Sequence, residues 1–364
     1  MFSLPGSIYG RLADLRNTLY DRGIFKTHPL GVKTISVGNI TAGGTGKTPL
    51  VARVAEILAE KGETVCILTR GYGRKNPRSR VLVSDAKNVL ADAATGGDEP
   101  VELARKLIGK AIVVADADRV SAAKWALDKY GITVFVLDDG FQHRRVKRNL
   151  DIICVDATNP FGNGGMLPTG ILREPLENLK RADVIVLTRA NLVEDTENLK
   201  SQISDLNRES PIFLAENKIS RVIKLEDFNS NAHHSLNTIV SVGWEQLSLI
   251  AISENPEEIG ILAFCALGNP NNFFIQLEIT FDEVQMGLFH LSIIKTFPDH
   301  HFYTQQDIAA LEKQARECNI SAFVTTAKDA VKLKGLKFSL PCFVIEIQLV
   351  LDDYQGFHNQ ITSS

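Results

Sequence analysis

The strand-like run Thr34-Ile35-Ser36-Val37 leads directly into the glycine-rich turn Gly38-Asn39-Ile40-Thr41-Ala42-Gly43-Gly44-Thr45-Gly46-Lys47-Thr48, and a helical apolar pattern follows. Few features restrict a fold so tightly. Successive glycines let backbone N–H groups converge on one point, and the following helix aims the positive end of its dipole at it. The chain is expected to cradle phosphate there through Thr41, Ala42, Gly43, Gly44, Thr45, Gly46, Lys47 and Thr48. Lys47 is placed to reach the outer phosphates of a nucleotide such as ATP, and Thr48 to present its hydroxyl to Mg2+.

The strict pattern has glycine six positions before the lysine. Here that position is Thr41, with extra glycine at Gly43 and Gly44. The context still fits, because Pro49 suits a first helical turn and Val51, Val54, Ala55 and Leu58 recur at helical spacing until Gly62.

From Thr34 to about Thr188, further short apolar runs alternate with helical patterns: Thr64–Leu68, Ala111–Val114, Val134–Leu137, Asp151–Val155 and Val184–Leu187. Continuous apolar strands separated by helices predict an α/β fold, a mostly parallel P-loop-type sheet with helices on both faces. Its ligand loops lie at the carboxyl ends of the strands. Beyond Pro211 the pattern changes. The segments Pro211–Glu216 and Ile219–Ile223 read as a pair of extended pieces, and a smaller second α/β pattern follows with runs at Ile261–Phe264, Ala322–Thr326 and Cys342–Ile345. The expected division is an amphipathic helix over 1–30, a core domain over 31–210, a two-segment connection over 211–223 and a smaller domain over 224–364.

Forty basic against 43 acidic residues leave a net charge of -3, so nothing global points to nucleic acid and anion binding must be local. The five cysteines are dispersed, with no Cys-x-x-Cys pair, which argues against a disulfide framework or a zinc site and fits a reducing cytoplasm. No apolar run has the length of a membrane span, and the N-terminus reads without a signal-peptide pattern. It does place Ile8, Leu12, Leu15 and Leu19 on one helical stripe with Arg11, Arg16 and Arg22 among the polar positions. Such a stripe either lies in a membrane interface or packs on the protein's own core.

Asp138-Asp139 follow the strand Val134–Leu137, where a carboxylate can hold Mg2+ beside the Thr of the phosphate turn. Gly140–Arg145 adds further hydrogen-bond donors. Asp98, in Gly96-Gly97-Asp98-Glu99-Pro100, is either a base that takes a proton from an attacking hydroxyl or a helix cap. Arg119 and Arg173 are candidates for neutralising phosphate charge. His300-His301, in Phe297–His301, lack a zinc-ligand partner at suitable spacing, and their plain alternative is a capping or core-edge role.

In order and spacing, these motifs resemble the tetraacyldisaccharide 4′-kinase family. The resemblance rests on Val37–Pro49, Thr69-Arg70-Gly71-Tyr72-Gly73, Gly97–Pro100, Asp118-Arg119, Leu137–His143, Leu167-Pro168 and Leu172–Pro175. It continues through Ala263–Cys265, Gly268–Pro270, Asp299-His300 and Thr325–Leu333, departing at Ala327, where the family commonly has an acid. It implies transfer of the ATP γ-phosphoryl group to the 4′-hydroxyl of an acylated disaccharide 1-phosphate, giving lipid IVA. By the family pattern, Asp98 is the base with His300 assisting from the second domain. Lys47, Arg119 and Arg173 stabilise phosphate charge, and Thr48, Asp138, Asp139 and Glu174 arrange Mg2+. The resemblance also implies peripheral attachment at the inner face of the cytoplasmic membrane, with the N-terminal stripe touching lipid. If His300 comes from the second domain, the two domains are expected to close over ATP, with the extended pair over 211–223 as the hinge. Two other readings fit the same phosphate turn: an ATPase switch that acts on a membrane or protein partner, and a soluble small-molecule kinase.

Overall fold

A computed structural model describes residues 4–230, 259–283 and 289–363. The chain forms two compact units, one of residues 1–217 and 349–364, the other of residues 218–348. Both passages between units fall inside strands.

The first unit is built on β1 (Lys33–Gly38), β2 (Val65–Thr69), β3 (Val81–Asp85), β4 (Ala111–Ala115), β5 (Val134–Asp138), β6 (Leu150–Asp156), β7 (Val184–Thr188) and the start of β8 (Ile212–Lys224). The strand order is β8-β7-β6-β1-β5-β2-β4-β3, parallel throughout except for the edge pair β3–β4. Strands β1, β2, β4, β5, β6 and β7 are buried along nearly their whole length, which is why they read as unbroken apolar runs. Helix α1 (Leu4–Asp21) precedes the sheet; α2 (Lys47–Glu60), α3 (Ala93–Gly96), α4 (Asp98–Lys106) and α5 (Arg119–Lys129) follow successive strands. Helix α2 buries Leu50, Val51, Val54, Ala55, Ile57 and Leu58. Truncating one such leucine to alanine leaves a cavity that costs about 2–5 kcal/mol.

The register places functional loops side by side. β1 lies between β5 and β6, pairing Val37 with Asp138 on one side and with Ile152 on the other. The phosphate turn after β1 therefore emerges beside the loop that carries Asp139, at the carboxyl edge where parallel sheets bind ligands.

The second unit contains the remainder of β8, β9 (Ile259–Cys265), β10 (Phe289–Thr296), β11 (Ile320–Thr326) and the larger part of β12 (Cys342–Leu351). The order is β10-β9-β11-β12-β8, and β9 pairs parallel with both β10 and β11. Its core gathers Val222, Ile261, Ala263, Phe274, Leu277, Val324 and Phe343.

One expectation changes. The pair of extended segments near 211–223 is one continuous 13-residue strand, with Asn217 and Lys218 lying mid-strand without turning the chain. Of the N-terminal stripe, Ile8, Leu12 and Leu15 are exposed and Leu19 is half-buried. Leu4 is 77% exposed, Leu12 60% and Leu15 56%, while the buried positions of α1 are Gly6, Gly10 and Asn17.

Candidate active site

The phosphate turn is held from two sides. At its start, where Thr41 replaces the usual glycine, Thr41 forms a bridge with Leu172 and the Ala42 N–H donates to the Ile171 carbonyl at 2.6 Å. At its end, Gly46 has φ +82°, a left-handed conformation that glycine adopts without strain, and a Cβ there would lie 3.3 Å from Thr188. Asn39 Nδ2 donates to Thr45 Oγ1 at 3.0 Å across the turn.

The carboxyl ends of β6 and β7 grip two consecutive carbonyls of the turn. Thr188 Oγ1 and Cys154 Sγ each donate to the Thr45 carbonyl at 2.8 Å, and Arg189 Nη2 donates to the Gly44 carbonyl at 2.8 Å. Arg189 is itself paired with Asp156. A trans peptide turns the N–H of Gly46 away from the gripped Thr45 carbonyl, which leaves that donor for an anion.

The acids come from β5. Asp138 ends the strand and accepts from Thr69 Oγ1 at 2.8 Å. Asp139, at φ +53°, accepts from Arg173 Nη1 at 2.8 Å through both oxygens and lies 3.7 Å from Lys47 Nζ. Arg173 is positioned by its own N–H, which donates to the Ile40 carbonyl at 2.8 Å. Arg119 opens α5, only 5% exposed, on a helix end capped by Asp118.

Charge is unevenly settled in this group. Burial pushes the Asp138 carboxyl up to about 6, and the neighbouring Glu99 and Asp139 push the same way. Burial also opposes ionisation of Asp139, yet Lys47, Arg173 and Arg119 hold it below the usual carboxylate range. Burial draws the Arg119 guanidinium down against the pull of Asp138 and Asp139.

Asp98 and Glu99 open α4. The cap position is Gly97, with no side-chain cap, so Asp98 is the first residue of the helix, buried at 3% exposure. Its Oδ1 accepts from the Glu99 N–H at 3.0 Å within the first turn. Gly97 has φ +95°, and a Cβ on it would meet the Tyr72 carbonyl at 2.9 Å; glycine lets the Thr69–Gly73 loop close onto the Asp98 loop.

The structure thus joins Lys47, Asp139 and Arg173 by contact, and Asp138, Glu99 and Arg119 by charge. Thr48 follows Lys47 as the second residue of α2. Glu174 is bound elsewhere: its Oε2 accepts from Asn17 at 2.6 Å and from Arg181 at 2.5 Å. Among the described residues, no group of three or more His, Cys, Asp or Glu side chains is gathered as a metal cage. The donors expected from Gly140–Arg145 serve the protein itself. Gln142 Nε2 donates to the Asn39 carbonyl at 2.9 Å, and Arg144 binds Asp21 at 2.7 Å.

In the second unit the two adjacent histidines separate clearly. His301 stacks on Phe297 at 4.9 Å, meets the Tyr303 ring edge-on and lies 3.2 Å from Asp307, as a core-edge residue does. His300 has φ +60°, with Nε2 3.8 Å from Asp299, which in turn accepts from Lys328 at 3.2 Å.

Sequence reasoning missed Thr69, Cys154, Asp156, Thr188 and Arg189. Thr188-Arg189, directly after an apolar strand, was the available signal.

The phosphate turn, the paired acids after the neighbouring strand and the convergent Lys and Arg side chains define a P-loop phosphotransferase. A family model described as tetraacyldisaccharide-1-P 4′-kinase matches residues 2–364. A tetraacyldisaccharide 4′-kinase of Halothermothrix orenii is 34% identical over 363 residues, covering 96% of this chain and 88% of its own. Another, from Desulfotalea psychrophila, is 36% identical over 337 residues and covers 93% and 88%. The crystal structure of LpxK from Aquifex aeolicus in complex with ATP aligns at a TM-score of 0.71 and 27% identity, over 98% of this chain and 96% of that one. The chain belongs to the tetraacyldisaccharide 4′-kinase family and is an ATP-dependent kinase of lipid A biosynthesis.

Proposed function

We propose that Asp98, Lys47, Arg119 and Arg173 carry the transfer of the ATP γ-phosphoryl group to the 4′-hydroxyl of tetraacyldisaccharide 1-phosphate, giving lipid IVA and ADP. The observation that supports this most is the Lys47–Asp139–Arg173 contact, which holds two cations ready where the phosphate turn meets the loop after β5. In the transfer, the 4′-oxygen bonds to the γ-phosphorus as the bond to the β-bridging oxygen breaks. The hydroxyl proton passes to the Asp98 carboxylate, and the leaving oxygen stays on ADP. Little covalent chemistry is asked of the protein, so positioning and charge neutralisation carry the rate. We also propose that His300 assists; the ring contacts of His301 leave His300 as the better candidate of the two.

The donor set suits Mg2+. Buried Asp138, with two further carboxylates raising its pKa, is an environment that a divalent cation relieves. Thr48, Asp138 and Asp139 are the residues proposed to hold it. When bound, the cation supplies charge neutralisation on the phosphate oxygens. Glu174 is proposed as a further member by the family pattern: its Oε2 binds Asn17 and Arg181, and its buried Oε1 has no hydrogen-bond partner.

The acceptor is an acylated lipid, and no described helix is long and apolar enough to cross a membrane. We propose peripheral attachment at the inner face of the cytoplasmic membrane through the exposed Leu4, Ile8, Leu12 and Leu15 of α1, with Arg11 and Arg22 toward anionic headgroups.

Label transfer from γ-labelled ATP to the acceptor in detergent micelles tests the reading, with Asp98→Asn beside the unmodified chain. Labelled lipid made by the unmodified chain and reduced at least ~100-fold in the variant is expected. Equal labelling by both removes Asp98 as the base. Free phosphate without labelled lipid favours an ATPase switch.

A further inference from the structure

Helix α1 turns a different chemistry inward from the one it turns outward. Its buried positions are Gly6, Gly10 and Asn17, with Gly10 set against the Met166 side chain in place of a large apolar residue of the helix. Polar contacts also seat it. Asn17 Nδ2 donates to Glu174 Oε2 at 2.6 Å, and Arg16 Nη2 donates to the Gln142 carbonyl at 2.6 Å. Arg144 donates to the Asn17 carbonyl at 2.9 Å and to Asp21 at 2.7 Å, and Asn178 Nδ2 donates to Asp14 at 3.2 Å.

These contacts reach only two segments, residues 142–144 and 174–178, and both lead to the phosphate side of the site. Gln142 donates to the Asn39 carbonyl at the head of the phosphate turn. Glu174 is covalently next to Arg173, which grips Asp139, which in turn faces Lys47. One route therefore runs from Asn17 through Glu174, Arg173 and Asp139 to Lys47. At its start Asn17 is 4% and Glu174 2% exposed; Arg181 also donates to Glu174 Oε2, while Asn17 Oδ1 and Glu174 Oε1 have no hydrogen-bond partner. Arg181 keeps the Glu174 charge paired, and Asn17 is the bond that ties α1 to that carboxylate, so its loss severs the helix from this route.

We propose that α1 is a positioning element of the phosphoryl-transfer site. Asn17 and Arg16 hold the 172–176 and 140–144 segments so that Arg173 and Asp139 meet Lys47 in working geometry. The inference rests on the reading of Lys47, Asp139 and Arg173 as the phosphate-side machinery. Its consequence is that α1 matters to turnover even where no membrane is present, and that its inward and outward faces do separable work.

The test uses the full chain in neutral detergent micelles and measures kcat and ATP KM for Asn17→Leu, Arg16→Ala, Arg16→Lys and Asp139→Asn, with co-sedimentation on vesicles containing anionic phospholipid as a second readout. Asn17→Leu is expected to lose about tenfold or more in kcat/KM for ATP, the range for a hydrogen bond to a buried charge, while still sedimenting with vesicles. Arg16→Ala is expected to lose roughly threefold or more, with Arg16→Lys recovering most of it. Arg16 is only half-buried, so its variants carry the test if Asn17→Leu does not fold. Asn17→Leu and Arg16→Ala both within twofold of the unmodified chain, with Asp139→Asn inactive, would overturn the proposal and leave α1 as an anchor alone. If Asp139→Asn is itself fully active, the reading of the phosphate-side group fails first and takes this inference with it.

Discussion

Each unit of this kinase buries a carboxylate network at the ends of its strands, and the two networks differ in how completely they are settled. In the second unit, Asp329 is fully buried and accepts from the Ala266 N–H, Thr326 Oγ1 and Tyr303 Oη, with Lys332 Nζ 3.0 Å away. These partners tie together the loop after β9, the turn after β11 and the segment that follows His300-His301. In the first unit, burial and neighbouring acids keep Asp138 near 6, Arg119 is drawn down by burial, and Asp139 is divided between Lys47 and Arg173. In the second network the carboxylate finds its partners within the protein, whereas the first keeps a charge imbalance that, on the proposed function, a nucleotide with its cation would correct. Buried charge alone does not mark a site; what remains unbalanced does.

The contrast is sharpest when each network loses a charge. Lys47→Ala is expected to lower kcat/KM by about 1,000-fold or more, the scale of a removed transition-state contact, with Tm shifted by no more than a few degrees. A steady-state assay beside a thermal melt checks this; a folded variant with near-normal turnover would break the comparison. Asp329→Ala is expected to do the reverse. It leaves Lys332 buried opposite an apolar residue, which costs about 3–5 kcal/mol in urea unfolding, because removing one partner of a buried pair strands the other.

A smaller effect follows from the sign of the Asp138 shift. Its folded-state pKa lies above the ordinary 3.8, so the native state favours the proton. The associated stability is present below about pH 4 and lost as pH rises through about 6. Without ligand, Asp138→Asn is therefore expected to be more stable than the unmodified chain at pH 8 by roughly 1–3 kcal/mol, with the difference vanishing near pH 4, as read by urea unfolding at both values. Smallest is the split between the histidines. His301→Ala is expected to lose about 1 kcal/mol of stability with its ring contacts, and His300→Ala to lose activity with little change in Tm.

The sequence was legible where one local pattern had one physical meaning. The buried parallel strands read as apolar runs, and the turn ending Gly46-Lys47-Thr48 between a strand and a helix announced phosphate. Edge strand β3 did not read so clearly, because Val81 and Leu82 are only half-buried and the residues before them are basic. Strand β10 was missed as well. Non-local contacts were beyond reach: Arg189 meets Gly44 across 145 residues and Thr188 meets Thr45 across 143. Composition did not say which way the α1 stripe faced, since an apolar stripe has the same spacing whether it meets a core or a bilayer. Gly6, Gly10 and Asn17 on the opposite face were the clue, small and polar where a core-packed helix is apolar. Glu174 entered the metal set through the family resemblance alone, and only the fold reveals its contacts with Asn17 and Arg181.

The most direct test of the unbalanced first network compares urea unfolding of the unmodified chain and Asp138→Asn at pH 8 with and without saturating ATP and Mg2+. Alone, the variant should be the more stable of the two. With ligand at about 100 times its Kd the unmodified chain should gain about 2.7 kcal/mol while the variant gains much less, so that the variant's lead shrinks by most of that amount. An equal gain in both would contradict the account, since Asp138 would then take no part in receiving the nucleotide and its cation.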